Sequence, residues 1–151
     1  MAGNQRKSRK PSGTKAELLL EASTFFVDRC LGRSVGVALR QAGLQVEFHA
    51  DHFADDAADE TWISEVGQRG WIVLTKDKAI RTRPVELQAV IAAKVRMFRL
   101  SSGNMTGEDM GRIFVDNRLK MGRFLKNHPP PFIARVSASG VAMVYPAEPS
   151  P

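Results

Sequence analysis

The most informative stretch of the chain is Trp71-Ile72-Val73-Leu74-Thr75-Lys76-Asp77-Lys78. Its first four residues are all apolar, Gly70 precedes them and polar residues follow. Such a run is typical of a strand buried on both faces, as in the interior of a parallel sheet. Functional sites in open α/β sheets lie just beyond the carboxyl ends of the strands. We therefore expect Asp77 at a functional edge of the sheet.

A second apolar strand ends in an acid in the same way. Residues 23–28 read Ser-Thr-Phe-Phe-Val-Asp, which predicts a strand that ends at Asp28. If both strands belong to one parallel sheet, Asp28 and Asp77 lie at the same edge. The sequence therefore predicts a shared acidic cluster.

The rest of the chain alternates predicted strands and helices. This order predicts a parallel sheet with right-handed crossovers and helices on both faces. Apolar and polar residues alternate in 44–49, which places that strand near an edge of the sheet. We predict an α/β three-layer sandwich with a central, mostly parallel, four-stranded sheet and a C-terminal β-hairpin. The predicted strands are 23–28, 44–49, 71–75 and 95–100, the helices are 32–41, a segment around 62–67, 85–93 and 106–126, and the hairpin is 132–145.

The net charge of +6 is concentrated at the amino terminus. Residues 1–15 contain five basic residues and no acid, so the remainder carries a net charge of only +1. Such an arm is expected to be disordered and to bind phosphates loosely. The alternative is a solvent-exposed amino terminus that binds no partner. We predict that 1–22 is this arm with a short helical lead-in over 16–22, that 23–146 is the folded domain, and that 147–151 is a disordered tail.

Cysteine content and hydropathy exclude several classes of protein. The single cysteine, Cys30, rules out an intramolecular disulfide, and no Cys/His spacing around it suggests zinc. We expect Cys30 to be a small buried side chain rather than a nucleophile. No apolar run reaches the roughly 20 residues of a membrane span, and no signal peptide core is evident. The prediction is a cytoplasmic protein with no membrane partner.

The acids suggest a site for a hard cation. Oxygen ligands without thiolates suit Mg²⁺ or Mn²⁺. Residues 51–60 hold five acids, and we expect Asp28, Asp77 and one of Asp59 and Glu60 to bind the metal. A favourable interaction with the helix dipole also explains acids at 59 and 60, with Asp59 or Thr61 as the helix cap. A metal so held makes phosphodiester hydrolysis the natural reaction.

Basic and polar residues near Asp77 are candidates to hold the substrate. We expect Thr75 to hydrogen-bond a carboxylate at the end of its strand rather than to act as a nucleophile. His49 and His52 are set aside as ligands, because His49 is predicted on the polar face of an edge strand. Solubility explains Arg81 and Arg83 at least as well as substrate contact. The candidates for substrate binding are Lys76, Lys78, Arg81, Thr75 and Asn104, with Arg83 flanking the same acids.

These residues together resemble a known family. The matching segments are Phe26-Val27-Asp28-Arg29-Cys30-Leu31, Gly43-Leu44-Gln45-Val46, Asp59-Glu60-Thr61-Trp62 and Val73-Leu74-Thr75-Lys76-Asp77-Lys78. Their order and spacing resemble the PIN-like nuclease superfamily, in particular the short bacterial branch related to VapC-type toxins of toxin-antitoxin modules. The resemblance covers about residues 25–145.

The resemblance implies an Mg²⁺- or Mn²⁺-dependent endoribonuclease that is homodimeric and inhibited by a cognate antitoxin. The family's acids map to Asp28, to Asp59 or Glu60, and to Asp77. The chain departs from the family in having no obvious fourth acid after the last parallel strand, where residues 101–104 stand, although Glu108 and Asp109 follow soon after.

Two other interpretations remain open. One is a catalytically inactive PIN-like module that binds nucleic acid or protein through the basic arm. The other is a receiver-like or phosphohydrolase domain that uses Asp28 as a phosphoryl acceptor.

Overall fold

The computed structural model describes residues 13–101 and 104–147. Within them the strands are β1 (Thr24–Val27), β2 (Gln45–Phe48), β3 (Ile72–Thr75), β4 (Arg96–Leu100), β5 (Phe132–Ser137) and β6 (Gly140–Tyr145). The helices are α1 (Lys15–Ala22), α2 (Arg33–Gln41), α3 (Asp59–Gln68), α4 (Pro84–Ala92), α5 (Gly107–Asp116) and α6 (Arg118–Asn127). Short 3₁₀ turns follow β1, β2 and β3 at Arg29–Leu31, His49–Asp51 and Lys78–Arg81.

The strands form one sheet in the order β2-β1-β3-β4-β5-β6. All neighbours are parallel except β5 and β6, which form the antiparallel C-terminal hairpin. The predicted mostly parallel α/β architecture is confirmed, with β2 at the edge. Because β5 pairs in parallel with β4, the hairpin continues the sheet and extends it from the predicted four strands to six.

Hydrophobic clusters cover both faces of the sheet. On one face, α1, α2, α5 and α6 pack over alternate residues of the strands, including Ile72 and Leu74 of β3. On the other face, α3 and α4 pack over residues that include Val73. All four residues of β3 are buried, as the apolar run predicted. This burial fixes β3 in the middle of the sheet and its carboxyl end between the two helical layers.

The predicted helix over 106–126 is wrong in one respect, because it is broken at Asn117. The backbone of Asn117 leaves the helical region (φ −98°, ψ 6°), and the side chain is buried. Its Nδ2 donates to the carbonyl oxygen of Ile113 at 2.8 Å and to that of Ser137 at 3.0 Å. The second bond reaches the hairpin, so a tertiary contact stabilises the break.

The helix starts agree with the sequence in part. Thr106, where the predicted helix begins, caps α5, since its Oγ1 accepts from the backbone N–H of Asp109 at 3.1 Å. The predicted cap of α3 by Asp59 or Thr61 is wrong, because Ala58 occupies the N-cap position and has no side-chain acceptor. The helix expected over 16–22 is present as α1, and its Leu20 belongs to the core beneath α6.

Two sequence predictions concern residues that lie largely outside the description. The basic arm is described only from residue 13 onwards, and the tail only to residue 147. The division into arm, domain and tail therefore stays a prediction. None of the helices in the described ranges has the length and hydrophobicity that crossing a membrane requires.

Candidate active site

Asp28 and Asp77 lie at one edge of the sheet and are joined through Thr75. The side chains of Asp28 and Thr75 are buried, with 6% and 0% exposure. Thr75 Oγ1 donates to Asp28 Oδ2 at 2.8 Å and accepts from the backbone N–H of Asp77 at 3.1 Å. The predicted hydrogen bond from Thr75 to a carboxylate is confirmed. One hydroxyl therefore fixes the spacing between the ends of β1 and β3.

The surroundings of Asp28 act on its charge in opposite directions. Burial raises the pKa of Asp28 above its ordinary value, while hydrogen bonds from Thr75 and Cys30 oppose the rise and the nearby Asp59 adds to it. Cys30 Sγ donates to Asp28 Oδ2 at 3.3 Å. Burial, with the charge of Asp28, raises the pKa of the Cys30 thiol to about 11. Cys30 is therefore a neutral hydrogen-bond donor at neutral pH.

Asp77 and Asp59 are each fixed by one carboxylate oxygen. Asp77 Oδ1 accepts from the backbone N–H of Ala79 at 2.9 Å, which caps the turn after β3. Asp59, in the first turn of α3, accepts from Trp62 Nε1 at 2.9 Å. Each acid keeps its second oxygen for a partner at the edge of the sheet. Glu60 is exposed and forms no ion pair or side-chain hydrogen bond within the described part of the chain, so only Asp59 of the two alternatives joins the cluster.

A fourth acid, Glu86, joins the cluster and was missed in the sequence. Glu86 lies in the first turn of α4 and is buried. Glu86 and Val90 are four residues apart and are the two buried residues of α4, so helical spacing from Val90 is the signal that could have found Glu86.

Arg83 binds three of the four acids. Its Nη1 lies 2.9 Å from Glu86 Oε2, 3.2 Å from Asp77 Oδ2 and 3.5 Å from Asp59 Oδ2. The hydrogen bond to Glu86 and the charge of Asp77 raise the pKa of Arg83. Arg83 is therefore part of the acidic cluster, and solubility alone does not explain it.

The other candidates lie around this cluster or away from it. Lys76 is half-buried, Lys78 and Asn104 are exposed, and Arg81 Nε donates to the carbonyl oxygen of Val144 at 3.4 Å. Asp109 pairs with Arg112 on α5 at 3.0 Å, and Glu108 is exposed beside it. The fourth acid therefore comes from α4 and not from α5.

The predicted placement of His49 on the polar face of an edge strand is wrong. His49 begins a 3₁₀ turn directly after β2, is 2% exposed, and lies 5.5–6.0 Å from the rings of Phe26, Phe53 and Trp62. Neither ring nitrogen has a hydrogen-bond partner in the described structure. Burial, aided by the charge of Arg29, lowers the pKa of His49 and favours the neutral ring. The turn removes this residue from the strand alternation that had placed it on the polar face.

A small cavity opens beside Asp28. Its volume is about 140 Å³, and it is lined by Val27, Asp28, Arg29, Arg33, Phe48 and His49, among others. The guanidinium of Arg33 lies 4.1 Å from the centre of the Phe48 ring. This cavity gives a ligand an approach to Asp28 from the side of β2.

The carboxylates do not form a metal cage as they stand. Within residues 13–101 and 104–147, no group of three or more His, Cys, Asp or Glu side chains is arranged so that it could hold a metal ion. The guanidinium of Arg83 lies among Asp59, Asp77 and Glu86, and Arg29 Nη2 lies 3.9 Å from Asp59 Oδ1.

The fold and the site together define a class. The sheet is mostly parallel, and acids lie at the carboxyl ends of β1 and β3. Acids from the helices α3 and α4 complete this cluster, so the chain is an α/β domain with an acidic edge. The family model of the PIN-like domain matches residues 23–102, and the chain belongs to this family. The matched segment contains Asp28, Asp59, Asp77 and Glu86.

A curated relative agrees with this assignment. The protein named "Putative ribonuclease VapC45" from Mycobacterium tuberculosis (strain ATCC 25618 / H37Rv) is 30% identical to the chain over 132 residues, which cover 84% of this chain and 95% of the relative. The predicted resemblance to VapC-related PIN-like proteins is thereby confirmed. No solved structure matches the chain. Neither the family match nor the relative supports the receiver-like interpretation.

Proposed function

We propose that this chain is a divalent-metal-dependent endoribonuclease that hydrolyses RNA phosphodiesters and acts as the toxin of a toxin-antitoxin module. The observation that carries the proposal is the meeting of four acids from four separate segments at one edge of the sheet. Asp28 and Asp77 are linked through Thr75, and Asp59, Asp77 and Glu86 share Arg83. Membership of the PIN-like family and the ribonuclease named among its relatives support the same function.

The donor set fits a hard cation if Arg83 moves away. The oxygens of Asp59, Asp77 and Glu86 lie within 3.5 Å of a single nitrogen, Arg83 Nη1. Carboxylates this close repel one another unless a cation lies between them. The Arg83 side chain is 46% exposed, so it has open solvent into which to withdraw. Oxygen donors alone suit Mg²⁺ or Mn²⁺ better than softer metals.

The chain's own residues would orient the reacting groups. A bound divalent ion supplies Lewis acidity and lowers the pKa of a water molecule. Thr75 and Cys30 hold the Asp28 carboxylate, the Ala79 N–H holds Asp77, and Trp62 holds Asp59. We assign metal binding to Asp28, Asp59, Asp77 and Glu86, and contact with the RNA backbone to Lys76, Lys78 and Arg81, while Thr75 acts by positioning Asp28.

Replacement of Asp77 by Asn tests the proposal. Asp77→Asn keeps an oxygen that can accept from the Ala79 N–H, so the turn after β3 and the fold should be retained. We expect the variant to lose cleavage of labelled RNA in Mg²⁺ or Mn²⁺, and to lose growth inhibition when expressed. Asp56→Asn is the matched control, because Asp56 is an exposed acid outside the cluster. Mg²⁺-stimulated cleavage that persists in Asp77→Asn would overturn the proposal.

The toxin assignment adds two partners. We propose that the chain forms a homodimer and is inhibited by a cognate antitoxin. Light scattering of the purified full chain tests the first, with a monomer as the contrary result. Co-expression with the product of the adjacent gene tests the second, since an antitoxin should restore growth and form a stable complex.

A binding module without activity is the second candidate. The pairing of Arg83 with three acids favours it, because the cluster is already neutralised in part. Under this interpretation the full chain binds RNA, divalent ions produce no cleavage, and deletion of residues 1–12 removes most of the affinity. Under the nuclease interpretation the same deletion, which keeps the Thr14 cap of α1, leaves cleavage largely intact.

A further inference from the structure

Two arginines continue the row of residues that ends at the acidic cluster. In the parallel register, Thr75 of β3 pairs with Arg99 of β4, and Arg99 pairs with Arg135 of β5. Adjacent strands lie about 4.8 Å apart, and residues paired in register share a face of the sheet. Thr75, Arg99 and Arg135 therefore form one row at the carboxyl ends of three strands, and Thr75 is the residue that binds Asp28.

The third arginine of this group comes from the turn after β3. Met97 and Ile133, two residues before Arg99 and Arg135, belong to the core that α3 and α4 cover, so both arginines lie on that face. Arg81 is tied to the same side by its bond to the Val144 carbonyl oxygen of β6. Burial, followed by the charges of Arg135 and Arg81, lowers the pKa of Arg99, as expected when three guanidinium groups are neighbours.

The three arginines are not paired with acids in the described protein. Like charges directly opposite on neighbouring strands are destabilising. Within residues 13–101 and 104–147, Arg81, Arg99 and Arg135 form no ion pair with an acid. Arg99 Nε is buried and has no hydrogen-bond partner there. An anion would relieve the repulsion between the three side chains, and guanidinium groups match phosphate in geometry and charge.

We propose that Arg81, Arg99 and Arg135 form a phosphate-binding site that holds the RNA backbone next to the acidic cluster. The inference rests on the proposed function and extends it from the phosphodiester that is cleaved to the phosphates of the neighbouring nucleotides. By strand spacing, Arg99 and Arg135 lie about 5 and 10 Å from Thr75 along the row. A strand whose phosphodiester lies at the acids would bring the phosphates of the next one or two nucleotides over these arginines. This continuity favours RNA over an acidic peptide as the ligand.

The test measures binding separately from cleavage. In the Asp77→Asn background, a short 5′-labelled RNA is titrated with the full chain by fluorescence polarisation at several salt concentrations. Arg135→Gln and Arg81→Gln are the variants, because both side chains are exposed and the fold should tolerate the change. Arg123→Gln on α6 is the control, since it removes one exposed charge from the opposite face of the sheet. Thermal melting checks that every variant is folded.

We expect each of the two site variants to weaken RNA binding about tenfold, the loss of one charge-assisted hydrogen bond. The slope of log K against log salt should fall by about 0.7 for each lost phosphate contact. Arg135→Lys should recover part of the affinity, and Arg123→Gln should change little. Inorganic phosphate should compete only weakly if the ligand is an extended backbone; strong competition by phosphate alone would replace RNA with a free anion as the ligand.

The proposed arginine site and the proposed nuclease activity can fail separately. Absence of cleavage by the unmodified protein counts against the proposed function, whereas the binding titration does not depend on cleavage. Equal RNA affinity in Arg135→Gln, Arg81→Gln and Arg123→Gln would overturn the site. A loss of antitoxin binding with unchanged RNA affinity would assign the arginines to a protein partner instead and would equally overturn it.

Discussion

Removal of the Thr75 hydroxyl should raise the pKa of Asp28 further. Thr75→Val nearly preserves the shape of the side chain and removes the 2.8 Å hydrogen bond to Asp28 Oδ2. Both groups are buried, with exposures of 0% and 6%. A hydrogen bond to a charged group contributes about 1.5–3 kcal/mol, and one pKa unit corresponds to about 1.36 kcal/mol. Loss of this bond removes that stabilisation from the charged carboxylate, so the pKa of Asp28 should rise further in the variant.

The effect on stability should depend on pH in a defined direction. The pKa of Asp28 is already raised in the folded state, chiefly by burial, so ionising this group opposes folding. That cost is absent below the ordinary aspartate pKa of about 3.9 and is complete once the pH exceeds the folded-state pKa. Thr75→Val enlarges the cost, so its free energy of unfolding should fall more at neutral pH than in acid.

Two measurements check this reasoning. Urea unfolding gives the difference in free energy of unfolding between variant and unmodified protein at each pH, and this difference should be about 1.5–3 kcal/mol larger at neutral pH than in acid. The acidic limb of the pH profile of RNA cleavage should move to higher pH. Thr75→Ser is the control, since it keeps the hydroxyl. The bond from the Asp77 N–H to Thr75 Oγ1 is also lost in Thr75→Val, and this adds a loss that does not vary with pH. An unmoved acidic limb together with a pH-independent stability loss would refute the assigned role of Thr75.

Three further changes test other contacts of the site and the fold. Arg83→Gln should tighten Mn²⁺ binding in calorimetry, because it removes the cation that competes for three acids; weaker binding would show that Arg83 supports the metal site. Cys30→Ala should move the acidic limb in the same direction as Thr75→Val but by less, because a thiol at 3.3 Å from Asp28 is a weak donor, and Cys30→Ser should not. Asn117→Ala should lower the free energy of unfolding by about 1–3 kcal/mol, since it removes the two hydrogen bonds that the buried Asn117 amide donates to backbone carbonyl oxygens. A loss of stability no larger than that of Asn127→Ala, at an exposed position, would contradict this.

The sequence predicted the features that depend on local periodicity. The apolar run in β3 and the alternation in β2 indicated a central and an edge strand, and both positions are confirmed. The placement of Asp28 and Asp77 at one edge followed from the rule that parallel strands end together. Thr75 was expected to hydrogen-bond a carboxylate at the end of its strand, and its bond to Asp28 confirms this.

The features that sequence reasoning missed depend on contacts between distant segments. The spacing from Val90 could have placed Glu86 on the buried face of α4, but residues 84–92 alone do not show that this face lies beside Asp59 and Asp77. The break at Asn117 depends on Ser137, twenty residues further along the chain. His49 was misplaced because one 3₁₀ turn after β2 ends the alternation on which the prediction relied.

The net charge of the folded part does not reveal a binding surface, because the positions of the charges matter more than their sum. Outside residues 1–15 the net charge is only +1, which alone gives no indication of nucleic-acid binding. At the carboxyl edge, however, the acids gather at β1 and β3, and the arginines Arg99 and Arg135 occupy β4 and β5. An RNA backbone lying along this edge would need a bound metal ion at the acidic end, whereas at the other end Arg99 and Arg135 already supply positive charge. If both proposals hold, the same strand register places a metal-dependent centre beside a site that binds the RNA backbone without metal, and experiments can test the two sites separately.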